Sequence, residues 1–218
     1  MSSMKSEIKA CVSQWLGDEL DEQLASNGFS RRKNALTYSR KLPKADQRIE
    51  VVIEIHPSDC PNAAAAIYPW LEVSMDSVNS VAKEMVDGDE TLLGGGPDTT
   101  LREPIEFTSP KGIGSRWFIY QPDSVPGVIS EMQCFLQQWG IPFLDYYISP
   151  DAICDAYDHG DERVINDRSY KIRVVAAMVL LNRVSDAMQV LEKWFGKAGP
   201  RRQYRSVFRY LESRSATT

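Results

Sequence analysis

The run RIEVVIEIH, residues 48–56, limits the choice of fold more than any other stretch of this chain. Ile49, Val51, Ile53 and Ile55 fall on one side of an extended backbone, and Glu50, Val52, Glu54 and His56 on the other. This period of two predicts a strand in a sheet with one buried and one wet face, the pattern of antiparallel sheets. Pro57, with no N–H to donate, ends it. Weaker strands are expected in SRRKNALTYSR, where Leu36 and Tyr38 alternate with Ala35, Thr37 and Ser39, and in YPWLEVSM, with Leu71, Val73 and Met75 on one face. A fourth is expected in SRWFIYQ, which is apolar on both faces.

The rest reads as helix. Ile8, Val12, Trp15, Leu16, Leu20 and Leu24 line one face of residues 6–26, and Asn27-Gly28 supplies a left-handed stop onto which Phe29 can fold back. DSVNSVAKEMV repeats at helical spacing, and DGDETLLGGGPDTTLREP reads as a flexible acidic loop. Residues 124–139 carry Val125, Val128, Ile129, Met132, Phe135, Leu136 and Trp139 as a buried stripe that Gly140 and Pro142 close. Ser149-Pro150 caps a short helix that ends at Gly160, two helices occupy 167–182 and 185–195, and a last one follows Pro200. The expectation is an α+β fold: a four-stranded, mainly antiparallel sheet domain over 1–145 and a helical extension over 146–218.

At 218 residues the chain can bury a core without metal or disulfide support. No apolar stretch reaches signal-peptide or membrane-span length, so cytoplasmic residence and no membrane partner are expected. The four cysteines are spread without a CxxC pair and are expected reduced, Cys11 and Cys134 as small core residues.

The net charge of -5 hides a linear split. Residues 45–167 carry 22 acidic and 6 basic side chains, the first 44 residues 5 and 8, and the last 51 residues 3 and 11. Such segregation concerns partners, because summed charge steers encounter. Asp151, Asp155 and Asp158 share a helix face by their spacings of four and three, with Asp161 and Glu162 just beyond. With Asp87, Asp89 and Glu90 they form the predicted partner-binding surface. In the last helix Arg201, Arg205 and Arg209 form a stripe, a candidate nucleic-acid contact set against the plainer reading of a solvated face.

No catalytic or metal-binding set is expected. His56…Cys60 and Cys154…His159 are spaced by four and five, outside the common short-spaced zinc pattern, and His56 with Cys60 is a poor nucleophile–base pair. Gly94-Gly95-Gly96 lacks the lysine-serine or lysine-threonine of a phosphate loop and has acidic neighbours. The expectation is therefore no enzyme and no cofactor.

The order helix, Gly-Phe, basic patch, then antiparallel strands, carried by LDEQLASNGFSRRKNALTYSR, RIEVVIEI and SRWFIY, resembles a bacterial domain family of unknown function, number 4304. The resemblance covers roughly the first 140 residues. It implies an immunity or accessory protein of a bacterial toxin system. An acidic surface then fits a basic toxin, such as a nuclease whose own surface is built for phosphate. The alternative is a nucleic-acid-binding or regulatory adaptor using the basic C-terminal helix. Neither the partner's identity nor the oligomeric state is legible in the sequence.

Overall fold

The computed structural model describes residues 2–33, 35–94, 96, 98–110, 116–162 and 168–215, with residues 2–5 and 168–169 described at the backbone only. The fold is α+β, and its open antiparallel sheet has six strands rather than four. In chain order these are β1 Ser30–Arg31, β2 Thr37–Lys41, β3 Asp46–Ile55, β4 Ala65–Ser74, β5 Leu101–Pro104 and β6 Trp117–Ile119. They lie in the order β1-β2-β3-β4-β5, and β6 also pairs with β4. Tyr38 stands opposite Ile49, and Ala66 opposite Phe118. The basic stretch 30–40 expected as one strand falls in a hairpin, β1 and β2, and β5 emerges from what reads as loop. Both additions are too short for a period of two to be visible.

The chain divides into two units. One comprises Met1–Leu42, Asp46–Glu72 and Glu103–Tyr146; the other comprises Pro43–Ala45, Val73–Arg102 and Tyr147–Thr218.

In the sheet unit, α1 (Ser2–Trp15) and α2 (Asp21–Ser26) are joined by a π-helical turn, Leu16–Leu20. Ile8, Val12, Leu16, Leu20 and Leu24 are buried at a constant spacing of four. Four residues turn an α-helix by about 400°, so the stripe would drift by about 40° per step. The wider π turn takes up that drift. Gly28, at φ +80°, stops the helix, and Phe29 N–H bonds back to the Leu24 carbonyl at 2.9 Å, burying its ring.

A second π turn, Leu136–Gly140, links α4 (Val125–Phe135) to α5 (Ile141–Tyr146). The helix therefore does not close at Gly140. Ile141 N–H reaches back to the Leu136 carbonyl, and Pro142 falls in the first turn of α5, where its missing N–H costs least. The turn also moves the buried stripe. Ile129, Met132, Phe135 and Leu136 give way to Gly140, Ile141, Phe143 and Leu144, so Trp139 is only half-buried; Cys134, ahead of the turn, lies off the buried face of α4 and is exposed, both contrary to expectation. Gly140 packs so closely that a Cβ there would come within 2.9 Å of Leu136 Cδ2 and 3.6 Å of Leu71 Cδ1. Trp117 meets Phe135 edge-on at 5.6 Å. On β3 the burial takes in Gln47, Ile49 and Val51; Ile53 and Ile55 are half-buried.

Two polar anchors bind the sheet to its helices. Arg40 forks onto Gln47 Oε1 (2.8 and 2.6 Å), the Asn27 carbonyl (3.0 Å) and Asp145 (2.6 Å), while Gln47 donates to the Leu144 carbonyl. Arg31 forms a two-pronged pair with Asp21 at 2.8 and 2.9 Å, and the Tyr38 hydroxyl lies 2.7 Å from the same carboxylate.

The helical unit holds α3 (Asp76–Val86), α6 (Pro150–Asp158), α7 (Arg168–Leu180), α8 (Val184–Phe195), α9 (Ala198–Gln203) and α10 (Arg205–Ser215). The expected last helix is thus broken at Tyr204, whose ring stacks 4.1 Å from Phe195. From 171 to 179 every residue of α7 is buried, as befits a helix packed by α3, α6 and α8 together. Asn182, at φ 59°, makes the left-handed turn into α8, with Arg183 N–H on the Met178 carbonyl. Among the described residues no helix is long and apolar enough to cross a membrane.

Candidate functional site

The acidic residues singled out by sequence all lie in the helical unit, and the structure divides them into two kinds. α6 begins at Ser149, whose hydroxyl accepts from Ala152 N–H, with Pro150 in the first turn. Its inner face buries Ile153, Cys154 and Ala156, which turns Asp151, Asp155 and Asp158 outward. Asp151 and Asp155 are exposed and meet no cation among the described residues. Asp158 is engaged: Arg183 Nη2 lies 3.0 Å from it, and Arg183 Nε lies 2.8 Å from Asp186. These two carboxylates, Asp186 first, hold the Arg183 guanidinium still more firmly in its charged form. Asp161 accepts from the Tyr147 hydroxyl at 2.8 Å, and Glu162 is exposed. Asp158 and Asp161 therefore serve the fold as well as the surface, a role that helical spacing cannot reveal.

Asp87, Asp89 and Glu90 follow α3 and are exposed. Asp87 sits at φ 50° as the left-handed end of that helix, and Asp89 accepts from the Thr91 hydroxyl. Beyond them the expected flexible loop is instead a short 3-10 turn, Glu90–Leu93, with Leu92 and Leu93 buried. Arg173 fastens this segment from within α7. Its guanidinium donates to the carbonyls of Thr99 (2.9 Å), Gly96 (2.8 Å) and Leu93 (3.4 Å) while the residue is 2% exposed. Burial lowers its pKa to about 10. Asn79 adds hydrogen bonds to the Asp98 carbonyl and to Thr100. Sequence reasoning missed Arg173; the signal was a charge inside a run apolar on every side.

The basic helix divides likewise. Arg201 pairs with Glu192 and lies 4.2 Å over the Phe208 ring. Arg202, Arg205 and Arg209 are exposed with no carboxylate partner among the described residues. Over the whole unit 15 acidic side chains face 15 basic ones, so the linear charge split becomes a local mosaic.

The thiol and imidazole groups are dispersed. Cys60 Sγ lies 3.6 Å from the Tyr120 hydroxyl, and no hydrogen bond joins it to His56 among the described residues. Cys154 is buried and its thiol is pushed up to about 12, chiefly by desolvation. His159 Nδ1 meets the Asp155 carbonyl at 2.8 Å. Among the described residues no three His, Cys, Asp or Glu side chains converge as metal ligands. A groove of about 320 Å³ beside Tyr157, Arg183 and Lys193 holds carboxylates already paired with Arg183.

No family model, curated protein or solved structure matches the chain.

Proposed function

We propose that the protein is a non-catalytic binding protein, an immunity protein that neutralises a basic bacterial toxin through the acidic face of α6 and the turn at 87–90. The observation that carries this reading is the pair Asp151 and Asp155, one turn apart, exposed, and without a counter-charge among the described residues. Carboxylates left unpaired on a rigid helix keep their field available to a cationic partner and cost little to desolvate at its rim. The resemblance to family 4304 points to the same class of partner.

The test is affinity capture with the full chain from its host, followed by the D151K/D155K variant. A basic protein retained by the natural chain at low salt, with association slowed about tenfold or more in the variant, is the expected result. Equal association by the two chains would overturn the reading.

Arg202, Arg205 and Arg209 favour a second reading, contact with a nucleic-acid backbone. Its mark would be salt-sensitive binding to nucleic acid that R202E/R205E/R209E abolishes.

A further inference from the structure

The C-terminal end of the helical unit has two faces. Inward, Tyr204, Val207, Phe208 and Leu211 are buried, and α10 packs on α3 and α8. Outward, Arg202, Arg205 and Arg209 recur at spacings of three and four, and all three are exposed.

Their charge is not spent within the unit. Arg201 is held by Glu192, whereas these three have no carboxylate partner among the described residues. Two acidic groups lie nearby. Glu212 is exposed one turn beyond Arg209, and Glu84 of α3 accepts from the Tyr210 hydroxyl at 3.3 Å. Three cations against Glu212 leave the outer strip net positive.

The spacing selects the ligand. Arg205 and Arg209 stand one helical turn apart, with Cβ atoms about 6 Å from each other. A nucleic-acid strand carries one charge for about every 3.4 Å of rise, so long side chains at that pitch can take successive phosphates. Each guanidinium fork also suits two phosphate oxygens.

The same face limits what is read. Single strands are held by bases stacked on open aromatic rings. Tyr210, beside Arg209 in the chain, is half-buried, and Arg214 lies 5.2 Å over its ring while donating to its hydroxyl at 3.0 Å. Base reading in the major groove needs a helix that enters it. α10, held against α3 and α8, offers only its outer strip.

We propose that this arginine row holds a nucleic-acid duplex by the phosphates of one strand and reads no bases. This rests on the nucleic-acid reading of the same arginines and adds a footprint of three phosphates. It is independent of the acidic face of α6.

The experiment measures fluorescence anisotropy of short labelled DNA duplexes of two unrelated sequences with the full chain, over a sodium chloride series. A labelled single strand and labelled polyglutamate are parallel arms. Both duplexes should bind alike, with log K falling against log salt at a slope of about -2.7, or about 0.9 for each of three phosphates. R202A, R205A and R209A should each reduce that slope by about 0.9. The three side chains are exposed, so the variants keep the fold, which circular dichroism checks. No binding to any nucleic acid would overturn both the nucleic-acid reading and this footprint. Binding with a slope indifferent to the three arginines would overturn the footprint alone, as would a tenfold preference between the duplexes, tighter binding of the single strand, or equal binding of polyglutamate.

Discussion

Arg31 and Arg173 are both buried guanidinium groups, and the two units solve the problem of burying them in opposite ways. In the sheet unit Arg31 meets a carboxylate with two prongs and is raised above its ordinary pKa, the Asp21 bond being the largest cause. In the helical unit Arg173 meets only backbone carbonyls among its hydrogen-bond acceptors, and desolvation brings it down to about 10. Carbonyl dipoles satisfy N–H groups but do not cancel a charge. The contrast teaches that a buried cation can be chosen for reach rather than for charge. Arg173 spans three carbonyls of a chain segment that has few side chains of its own to pack.

The sharpest test of that contrast is thiol chemistry, which reads the same desolvation directly. Cys154, buried in the helical unit, has its thiol pushed up to about 12, whereas Cys134 in the sheet unit is exposed. Burial raises the Cys154 thiol, so at pH 8 its thiolate is scarce, and only thiolates react. Mass-spectrometric alkylation should label the exposed Cys134 well before the buried Cys154. The sign for stability follows from the raised pKa: the contribution of the neutral thiol is whole below pH 9 and declines as pH rises from there toward 12. Comparable labelling rates would show that the helical unit opens readily.

Next in size is R173M. It leaves the carbonyls of Leu93, Gly96 and Thr99 short of a donor, at about 1–3 kcal/mol for each that water cannot reach, offset by relief of a desolvated charge. A net loss of about 3 kcal/mol in urea unfolding is expected, with faster amide exchange over residues 90–100. An unchanged midpoint would mean that the segment is held by Leu92 and Leu93 alone.

The smallest effect belongs to D21N. Removing one partner of a wholly buried pair costs about 3–5 kcal/mol. Asp21 is 43% exposed, so about 1–2 kcal/mol is expected. Because the fold lowers the Asp21 pKa, its contribution is full above the ordinary carboxylate range and is lost as pH falls through the folded value. Stability curves of D21N and the natural chain should therefore separate at pH 7 and converge in acid. A constant gap at all pH values would assign the effect to Tyr38 packing instead of charge.

Regular elements were legible where their period was long enough to count. β3, β4, α1, α3 and the α7–α8 pair follow from alternation or helical spacing, and the left-handed stop at Gly28 from its residue type. The six-stranded sheet was not, because β1 and β5 are two and four residues long. Trp139 was misplaced because a π turn shifts the helical phase, which a fixed 3.6-residue wheel cannot see, whereas Cys134 lies ahead of that turn and simply off the buried face of α4. The five buried residues spaced by four along 8–24 were a visible hint of such a turn. In the acidic surface, spacing identified the shared face of Asp151, Asp155 and Asp158. It could not show that Arg183, 25 residues after Asp158, would take one of the three. Charge counted along the chain was a poor guide for the same reason, since folding brings segments of opposite sign into one unit.

The π turns also decide how the helices tolerate editing. Each residue removed from a helix swings everything beyond it by about 100° and draws it in by about 1.5 Å. Deleting one residue within 136–140 would let α4 and α5 fuse into a plain α-helix, at the cost of carrying Asp145 off its line to Arg40. A deletion within 16–20 would do the same to Asp21 and Arg31. The two wide turns are thus where a single-codon deletion is easiest for the helical backbone to absorb and hardest for the sheet contacts to survive, so length at these two places is held by the ion pairs downstream rather than by the helices themselves.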